Sequence, residues 1–251
     1  MFNRLGLTTL RCAALAAGLA ACLPALAQNV DAILKKADAF RMLDTAAQVE
    51  VRVQTMKEGR PDKEKHYQVL SKPGGKSLVL FRSPGEIGQK VLMVGDDFWM
   101  LLPGSARPIR ITPLQKLLGE ASTGDIATMT WSGDYAGSVV RELDVDGVPC
   151  LELDLAALRK SVTYQRVVLQ VAKRDYRPLH ADLYASSNRK LKQARFTTEL
   201  REGRPTVVRM VLNDEIQSGR DTVVDVLGTK ARELGDEIFN PMYLGRSNLA
   251  P

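Results

Sequence analysis

The spacing of apolar positions changes along the chain and separates one helix from a long series of strands. Between Val30 and Leu43 apolar residues recur at helical intervals, which predicts an amphipathic helix capped by Asn29. From Val49 onward the spacing becomes two, which is typical of half-buried strands. The helical stripe comprises Val30, Ile33, Leu34, Ala37, Phe40 and Leu43, with Lys35, Lys36, Asp38 and Arg41 opposite.

Strand-like segments follow one another to the end of the chain. Turn sequences such as Asp146-Gly147 and Glu202-Gly203 join neighbours and indicate hairpins. The predicted strands are 49–53, 66–70, 77–81, 89–94, 98–102, 108–111, 138–145, 148–155, 164–171, 179–185, 191–200, 207–213 and 222–227. This succession predicts one mainly β domain over residues 28–251, an antiparallel meander that curls into a barrel or half-barrel.

One hairpin shows which face of the sheet points inward. A two-residue turn at Gly95-Asp96 would pair Met93 with Phe98 and Val91 with Met100. The face that carries these four side chains is wholly apolar, so we expect it to face the interior. Methionines suit adaptable apolar surfaces, but a filled hydrophobic core explains the pattern as well as a binding groove does.

Two strands are apolar on both faces and therefore need a cover on each side. They are residues 78–81 and 91–94. The helical segments available for this role are Val30–Leu43 and Pro113–Trp131. The second begins with Thr112-Pro113, a capping residue followed by proline, and its first part ends at Gly119.

Residues 1–27 have the pattern of a secretory signal peptide. Two arginines and no acid precede an apolar run that is too short to span a bilayer, and Ala25-Leu26-Ala27 forms the cleavage site. We predict cleavage after Ala27 and export to the periplasm. The alternatives are a buried N-terminal helix, or a lipoprotein signal at Leu19-Ala20-Ala21-Cys22 that leaves Cys22 as the lipidated first residue.

The composition is that of an ordinary globular protein. Of 251 residues, 45% are hydrophobic and 25% charged, with a net charge of +6, which disfavours disorder and a nucleic-acid-binding surface. Loss of residues 1–27 would leave 33 basic against 29 acidic residues and Cys150 as the remaining cysteine. The mature chain therefore has no intramolecular disulfide, and the apolar neighbours of Cys150 predict a buried structural thiol.

No catalytic constellation or metal-ligand cluster is evident, so we expect neither enzymatic activity nor a cofactor. His66 and His180 have no serine or cysteine nearby, and Gly75-Lys76-Ser77 lacks the earlier glycine of a phosphate loop because Leu70 occupies that position. A basic concentration is either a solvated β surface or a surface that attracts anionic lipid headgroups or an acidic protein patch. It comprises Lys72, Lys76, Arg82, Lys90, Arg107 and Arg110.

A series of short motifs extends over almost the whole mature chain. They are Ser71-Lys72-Pro73, Gly95–Pro103, Arg107–Ile111, Leu118-Gly119, Gly124-Asp125-Ile126, Asp134-Tyr135, Tyr164, Arg177-Pro178-Leu179, Phe239 and Leu244. In their order and spacing, these motifs resemble the LolA-like family of outer-membrane lipoprotein-sorting and lipoprotein-carrier proteins.

The resemblance implies an open antiparallel half-barrel with helices over its concave apolar face, and binding of lipid or lipoprotein acyl chains without catalysis. Transfer would involve an inner-membrane transporter or an outer-membrane acceptor. The alternative is a periplasmic sensor of the same fold that docks on a membrane-anchored protein. We predict that the cavity is lined by Val79, Phe81, Val91, Met93, Phe98 and Met100, with Leu114, Leu117 and Met129 on the lid. Lys72 takes the place of the family's latch arginine, and its single point charge differs from a bidentate guanidinium.

Overall fold

The computed structural model describes residues 23–111, 123–126 and 130–246. In this part of the chain, helix α1 (Leu23–Ala39) precedes thirteen strands. The strands are β1 (Ala47–Lys57), β2 (Arg60–Lys72), β3 (Lys76–Phe81), β4 (Lys90–Val94), β5 (Asp97–Leu101), β6 (Ile109–Arg110), β7 (Tyr135–Val145), β8 (Val148–Ala157), β9 (Arg166–Ala172), β10 (Pro178–Tyr184), β11 (Lys190–Arg201), β12 (Arg204–Asp214) and β13 (Arg220–Ala231). A four-residue helix α2 (Thr123–Ile126) lies between β6 and β7, and two 3₁₀ helices, Asp236–Phe239 and Pro241–Tyr243, follow β13.

The strands form one antiparallel sheet whose two ends remain unpaired with each other. Its order is β6-β5-β4-β3-β2-β1-β13-β12-β11-β10-β9-β8-β7. Two runs of consecutive hairpins are therefore joined where β1 pairs with β13, with Val53 opposite Val224. The mainly β fold and the antiparallel meander are confirmed.

Helix α1 lies on the inward face of the sheet. Its buried residues Val30, Ile33, Leu34 and Ala37 share one core with side chains from every strand except β6 among the described strands. Residues from strands far apart in the sheet belong to one core that includes α1 because the sheet curves. The result is the expected open half-barrel with α1 over its concave side.

A second, smaller core covers the outer face of β2–β5. There Leu78 and Leu92, both fully buried, pack with Phe239 and Leu244 of the C-terminal segment. Among the described residues, the cover on this side is the segment 234–244, which contains the two 3₁₀ helices. Most of the Pro113–Trp131 segment, which the sequence offered as a cover, lies outside the described residues.

The registers of the hairpins agree with the turn chemistry. Met93 pairs with Phe98 and Val91 with Met100, as predicted for a two-residue turn at Gly95-Asp96. Gly95 has φ of 56°, a left-handed conformation that glycine adopts without strain. All four side chains belong to the inward core, while Leu92 and Leu101 face outward.

Two expectations for the helix were wrong. Because α1 begins at Leu23, Asn29 lies inside the helix instead of capping it. The helix also ends at Ala39, so helical spacing does not extend to Arg41, which turns inward and places its guanidinium 4.7 Å from the Trp131 ring centre.

Within residues 23–111, 123–126 and 130–246, no helix has the length and apolar character needed to cross a bilayer.

Candidate functional site

A cleft of about 780 Å³ opens where the end of α1 meets the turns of the half-barrel. The β2–β3 and β4–β5 turns form one wall, and segments 130–134 and 159–163 form the other. This volume lies in the range of about 300–1,000 Å³ that is usual for small-molecule sites. The cleft is therefore the candidate binding site in the described part of the chain.

We call the apolar part of the cleft lining its floor. It comprises Ala39, Met42, Leu43, Met93, Phe98 and Val162, of which Met93, Phe98 and Val162 also belong to the inward core. Met93 is half-buried, and Phe98 is 4% exposed. Both belong to the set of side chains expected to contact an acyl chain, and both reach the cleft.

The other four expected cavity residues do not line the cleft and pack within the inward core. Val79 and Val91 are each 1% exposed and share a core with α1. Phe81 meets Tyr67 edge to face, with ring centres 4.9 Å apart, and Met100 packs against the same core. The structure thus divides the predicted set into two residues that line the cleft and four that do not. Of these four, Val79 and Val91 are buried, and Phe81 and Met100 are half-buried.

The rim of the cleft is charged, and its charges are largely paired. Arg159 bridges two carboxylates, with its Nε 2.8 Å from Asp96 Oδ1 and its Nη2 2.5 Å from Asp134 Oδ1. This guanidinium ties the β4–β5 turn to the wall opposite. An apolar floor below a polar rim suits an amphiphilic ligand whose tail enters first.

Lys72, the expected latch or rim charge, lies at the rim but bonds to the C-terminal segment. Its Nζ lies 3.0 Å from Asp236 Oδ1 and 3.3 Å from the Leu234 carbonyl oxygen. Lys76, its partner across the β2–β3 hairpin, lies 2.8 Å from the same Asp236 oxygen. The two lysines hold the pKa of Asp236 below its ordinary value. Among the described residues, Lys72 therefore anchors the outer cover.

The lid residues Leu114, Leu117 and Met129 lie outside the described residues, so their role stays a prediction. Helix α2, in the same region of the chain, is held to the half-barrel by Asp125. Its Oδ2 lies 2.9 Å from Lys192 Nζ on β11, and the Tyr164 hydroxyl donates a 2.9 Å hydrogen bond to its Oδ1. The two charged side chains are 1% and 10% exposed.

A second carboxylate, which is half-buried, joins α1 to the segment that precedes β7. Asp38 accepts hydrogen bonds from the backbone N–H groups of Trp131, at 3.0 Å, and Ser132, at 2.8 Å. Burial raises the pKa of Asp38 to about 6, against the lowering effect of these bonds and of Arg41. Burial likewise lowers the pKa of Arg41, which the charges of Asp38 and Asp125 oppose.

These buried charges were missed in the sequence, although one carries a local signal. On β11, Lys192 shares a face with Ala194 and Phe196, which belong to the inward core. Period-two alternation therefore places a lysine at an inward position, which is rare unless the charge is paired. Nothing in the local pattern names Asp125, 67 positions away, as its partner.

Cys150 has the environment expected of a structural thiol. It is free and fully buried, and burial raises its pKa, which disfavours the reactive thiolate. Within the described residues, no group of three or more histidine, cysteine, aspartate or glutamate side chains is arranged to hold a metal ion.

Comparison with known proteins identifies the family. A family model described as "Uncharacterized protein" matches residues 74–246, more than half of the chain. No curated protein matches. Two solved structures share the fold at less than 25% sequence identity. A DUF1329 family protein from Desulfovibrio piger has 23% identity and a TM-score of 0.72, covering 86% of this chain and 97% of its own. A putative outer membrane lipoprotein-sorting protein domain from Vibrio parahaemolyticus has 19% identity and a TM-score of 0.71. The alignment covers 88% of this chain and 100% of that domain.

A third solved structure is similar enough in sequence to assign the family. It is that of a LolA superfamily protein from Nitrosomonas europaea, with 35% sequence identity and a TM-score of 0.77. The alignment covers 86% of this chain and 97% of that one. The half-barrel, the covering helix and this identity over nearly the whole relative agree, and the chain belongs to the LolA superfamily.

Proposed function

We propose that this chain is a non-enzymatic periplasmic protein that binds the acyl chains of lipids or lipoproteins and carries them between membranes. The observation that carries this proposal is the cleft of about 780 Å³, whose apolar floor continues into the inward core. Its rim is polar, and the LolA-like fold of its relatives supports the same role. Outer-membrane lipoprotein sorting and inter-membrane lipid transfer are the processes that it would serve.

The free energy of transfer explains why a carrier needs such a cleft. Each methylene moved out of water gains about 0.8 kcal/mol. A chain of about a dozen methylenes would therefore remain in its membrane unless a comparably dry site received it. Met93 and Phe98 offer that surface at the entrance.

Helix α1 sets how far a ligand can enter. Ile33 and Leu34 occupy the middle of the half-barrel and are 1% and 0% exposed. A long acyl chain would therefore bind in the cleft and extend inward only when the core that α1 shares with Val79 and Val91 opens. The protein would then have a closed state with the core packed and an open state that holds the acyl chain, and bound cargo would favour the open state.

Titration with a fluorescent fatty-acid analogue tests the proposal. We expect saturable binding by the wild-type protein and a loss of at least about tenfold in affinity for Met93→Asp, because a charge in the floor would have to be desolvated. Phe98→Ala should weaken binding through the loss of apolar contact. The far-UV circular dichroism of each variant reports whether the sheet is retained.

Leu200→Asp is the matched control, because Leu200 is an apolar strand residue that is 72% exposed and does not line the cleft. Its affinity for the analogue should equal that of the wild type. Absence of saturable binding, or equal binding by Met93→Asp and Leu200→Asp, would contradict the proposal.

A regulatory role of the same fold makes a different prediction. A lipid sensor that docks on a membrane-anchored protein would retain one stoichiometric partner when pulled down from solubilised envelopes. A carrier would retain only its lipid or lipoprotein cargo. The same purification, followed by mass spectrometry, would give the mature N-terminus and decide between cleavage after Ala27 and lipidation of Cys22.

A further inference from the structure

Three connecting segments meet at one end of the sheet, away from the β2–β3 and β4–β5 turns that form the cleft. They are the β3–β4 connection (residues 82–89), the β5–β6 connection (residues 102–108) and residues 241–246 of the C-terminal segment. A Cβ atom built on Gly88 would lie 3.8 Å from Pro103 Cα, so the two connections are adjacent.

The C-terminal segment is fixed against both connections. A Cβ atom on Gly245 would lie 2.7 Å from the Ala106 carbonyl oxygen, a distance that no larger residue tolerates without a shift. Lys90 Nζ, at the start of β4, donates a 2.9 Å hydrogen bond to the Leu244 carbonyl oxygen. The three segments therefore form one continuous surface, which we call the loop-end surface.

Large apolar side chains are concentrated on the loop-end surface. Ile87 is 64% exposed, Leu102 46%, Met242 74% and Tyr243 45%. Ile109, on the adjoining edge strand β6, is 53% exposed. Half of the large apolar residues that are strongly exposed in the described part of the chain thus fall on these contacting segments and β6. Single exposed apolar residues are ordinary, whereas such a concentration marks an interaction surface.

The same surface carries a positive charge. Its three segments together with Lys90 contain four cations and one carboxylate, Glu86, which pairs with Lys65 at 2.9 Å. Arg82 and Lys90 bond within the protein, to Gln68 and to the Leu244 carbonyl oxygen. Arg107 and Arg246 are exposed.

We propose that the loop-end surface docks on the face of an anionic phospholipid bilayer. Apolar side chains beside exposed arginines are the combination that binds the interface of an anionic membrane, where the apolar groups enter the headgroup region and the cations meet phosphate. The positive charge favours this occupant over a neutral apolar protein surface. The proposal does not depend on acyl binding in the cleft, but it would bring a carrier of the proposed function to its donor or acceptor membrane.

Vesicle flotation with the purified mature protein tests the proposal. We expect binding to phosphatidylcholine vesicles that contain phosphatidylglycerol, weaker binding to phosphatidylcholine alone, and release at high salt. Ile87→Ser/Met242→Ser removes the apolar contribution, and Arg107→Gln/Arg246→Gln removes the charge. Each double variant should lose about tenfold or more in vesicle affinity.

Matched controls come from the other half of the sheet. Leu200 is 72% exposed and the Arg174 side chain 90% exposed, and neither lies on the loop-end surface. Leu200→Ser and Arg174→Gln should bind vesicles like the wild type. The proposal is overturned if the wild-type protein does not float with anionic vesicles, if the double variants float as it does, or if the surface captures only an acidic protein.

The outcomes also separate this proposal from the acyl-binding function. The two double variants should bind the fluorescent fatty-acid analogue normally, because their residues do not line the cleft. Met93→Asp should lose the analogue and still float with anionic vesicles. Failure of one assay therefore leaves the other informative.

Discussion

Lys192 Nζ lies 2.9 Å from Asp125 Oδ2, in an ion pair that joins a strand of the half-barrel wall to the short helix α2. Both side chains are almost fully buried, and the Tyr164 hydroxyl donates a hydrogen bond to the same carboxylate. A buried pair of this kind adds little net stability over apolar residues, but removing one member is costly because the other buried charge loses its partner. The pair therefore contributes more to the position of α2 than to the net stability of the fold.

Removal of Lys192 alone should destabilise the protein strongly. We expect Lys192→Met to lower the free energy of unfolding by about 3–5 kcal/mol, because the buried Asp125 carboxylate loses its lysine partner. Urea denaturation followed by circular dichroism measures the effect. The double variant Asp125→Leu/Lys192→Met should recover most of the loss, since it removes both members of the buried pair.

An exposed ion pair provides the control for that experiment. Lys173 Nζ lies 2.7 Å from Glu142 Oε2, with side chains 46% and 65% exposed. Lys173→Met should cost less than about 1 kcal/mol. Equal effects of Lys173→Met and Lys192→Met, or no recovery in the double variant, would refute the importance of the buried pair.

Asp38 should make stability decrease as the pH rises through the mildly acidic range. Burial raises its pKa to about 6 in the folded protein from 3.8 in the unfolded chain, so the folded state binds the proton more tightly. Asp134 raises this pKa further, while Arg41 and the backbone N–H groups of Trp131 and Ser132 lower it. The contribution of Asp38 to the free energy of unfolding is therefore greatest below about pH 4. It falls by about 3 kcal/mol in total as the pH rises to about 6.

The variant Asp38→Asn isolates that contribution. Between about pH 4 and pH 6 the wild type should lose stability relative to Asp38→Asn, because asparagine does not titrate. Above about pH 6 the difference in unfolding free energy between the two proteins should stay constant. Urea titrations at several pH values measure it. Asp31→Asn is the control, because Asp31 is an α1 carboxylate whose pKa is lowered by Lys35 and Ser132. A parallel pH dependence for wild type and Asp38→Asn would count against a buried, titrating Asp38.

The C-terminal segment should protect the outer face of the sheet. Phe239 is 4% exposed and packs with Leu70 and Leu92. We expect Phe239→Ala to increase amide hydrogen exchange in residues 234–246 and in β2–β5, because loss of a buried aromatic side chain removes contacts that nothing else in this small core replaces. Hydrogen–deuterium exchange with mass spectrometry resolves these segments.

Met242→Ala serves as the control within the same segment, since Met242 is 74% exposed. It should leave the exchange of β2–β5 unchanged. Asp236→Asn, which removes the carboxylate shared by Lys72 and Lys76, should give a smaller, salt-sensitive increase confined to residues 234–246. Exchange in Phe239→Ala that matches the wild type would show that the segment is not a structural cover.

What the sequence alone determined is the local structure. Alternation of apolar and polar residues located the strands, and the two-residue turn at Gly95-Asp96 set the pairing of Met93 with Phe98 and therefore the inward face. The stripe Val30, Ile33, Leu34 and Ala37 located the buried side of α1. Side-chain direction within a strand or helix, and register across a tight turn, depend only on residues a few positions apart.

Only the tertiary structure decided how distant segments meet. The pairing of β1 with β13, the cover of the outer face by Phe239, the inward turn of Arg41 and the meeting of Asp125 with Lys192 all join residues far apart in the chain or beyond a helix end. It also decided that Met93 and Phe98 reach the cleft while Val79 and Val91 do not. Such contacts depend on the curvature of the sheet and on which apolar surfaces pack against each other. The spacing of apolar residues along a short segment does not determine either of these.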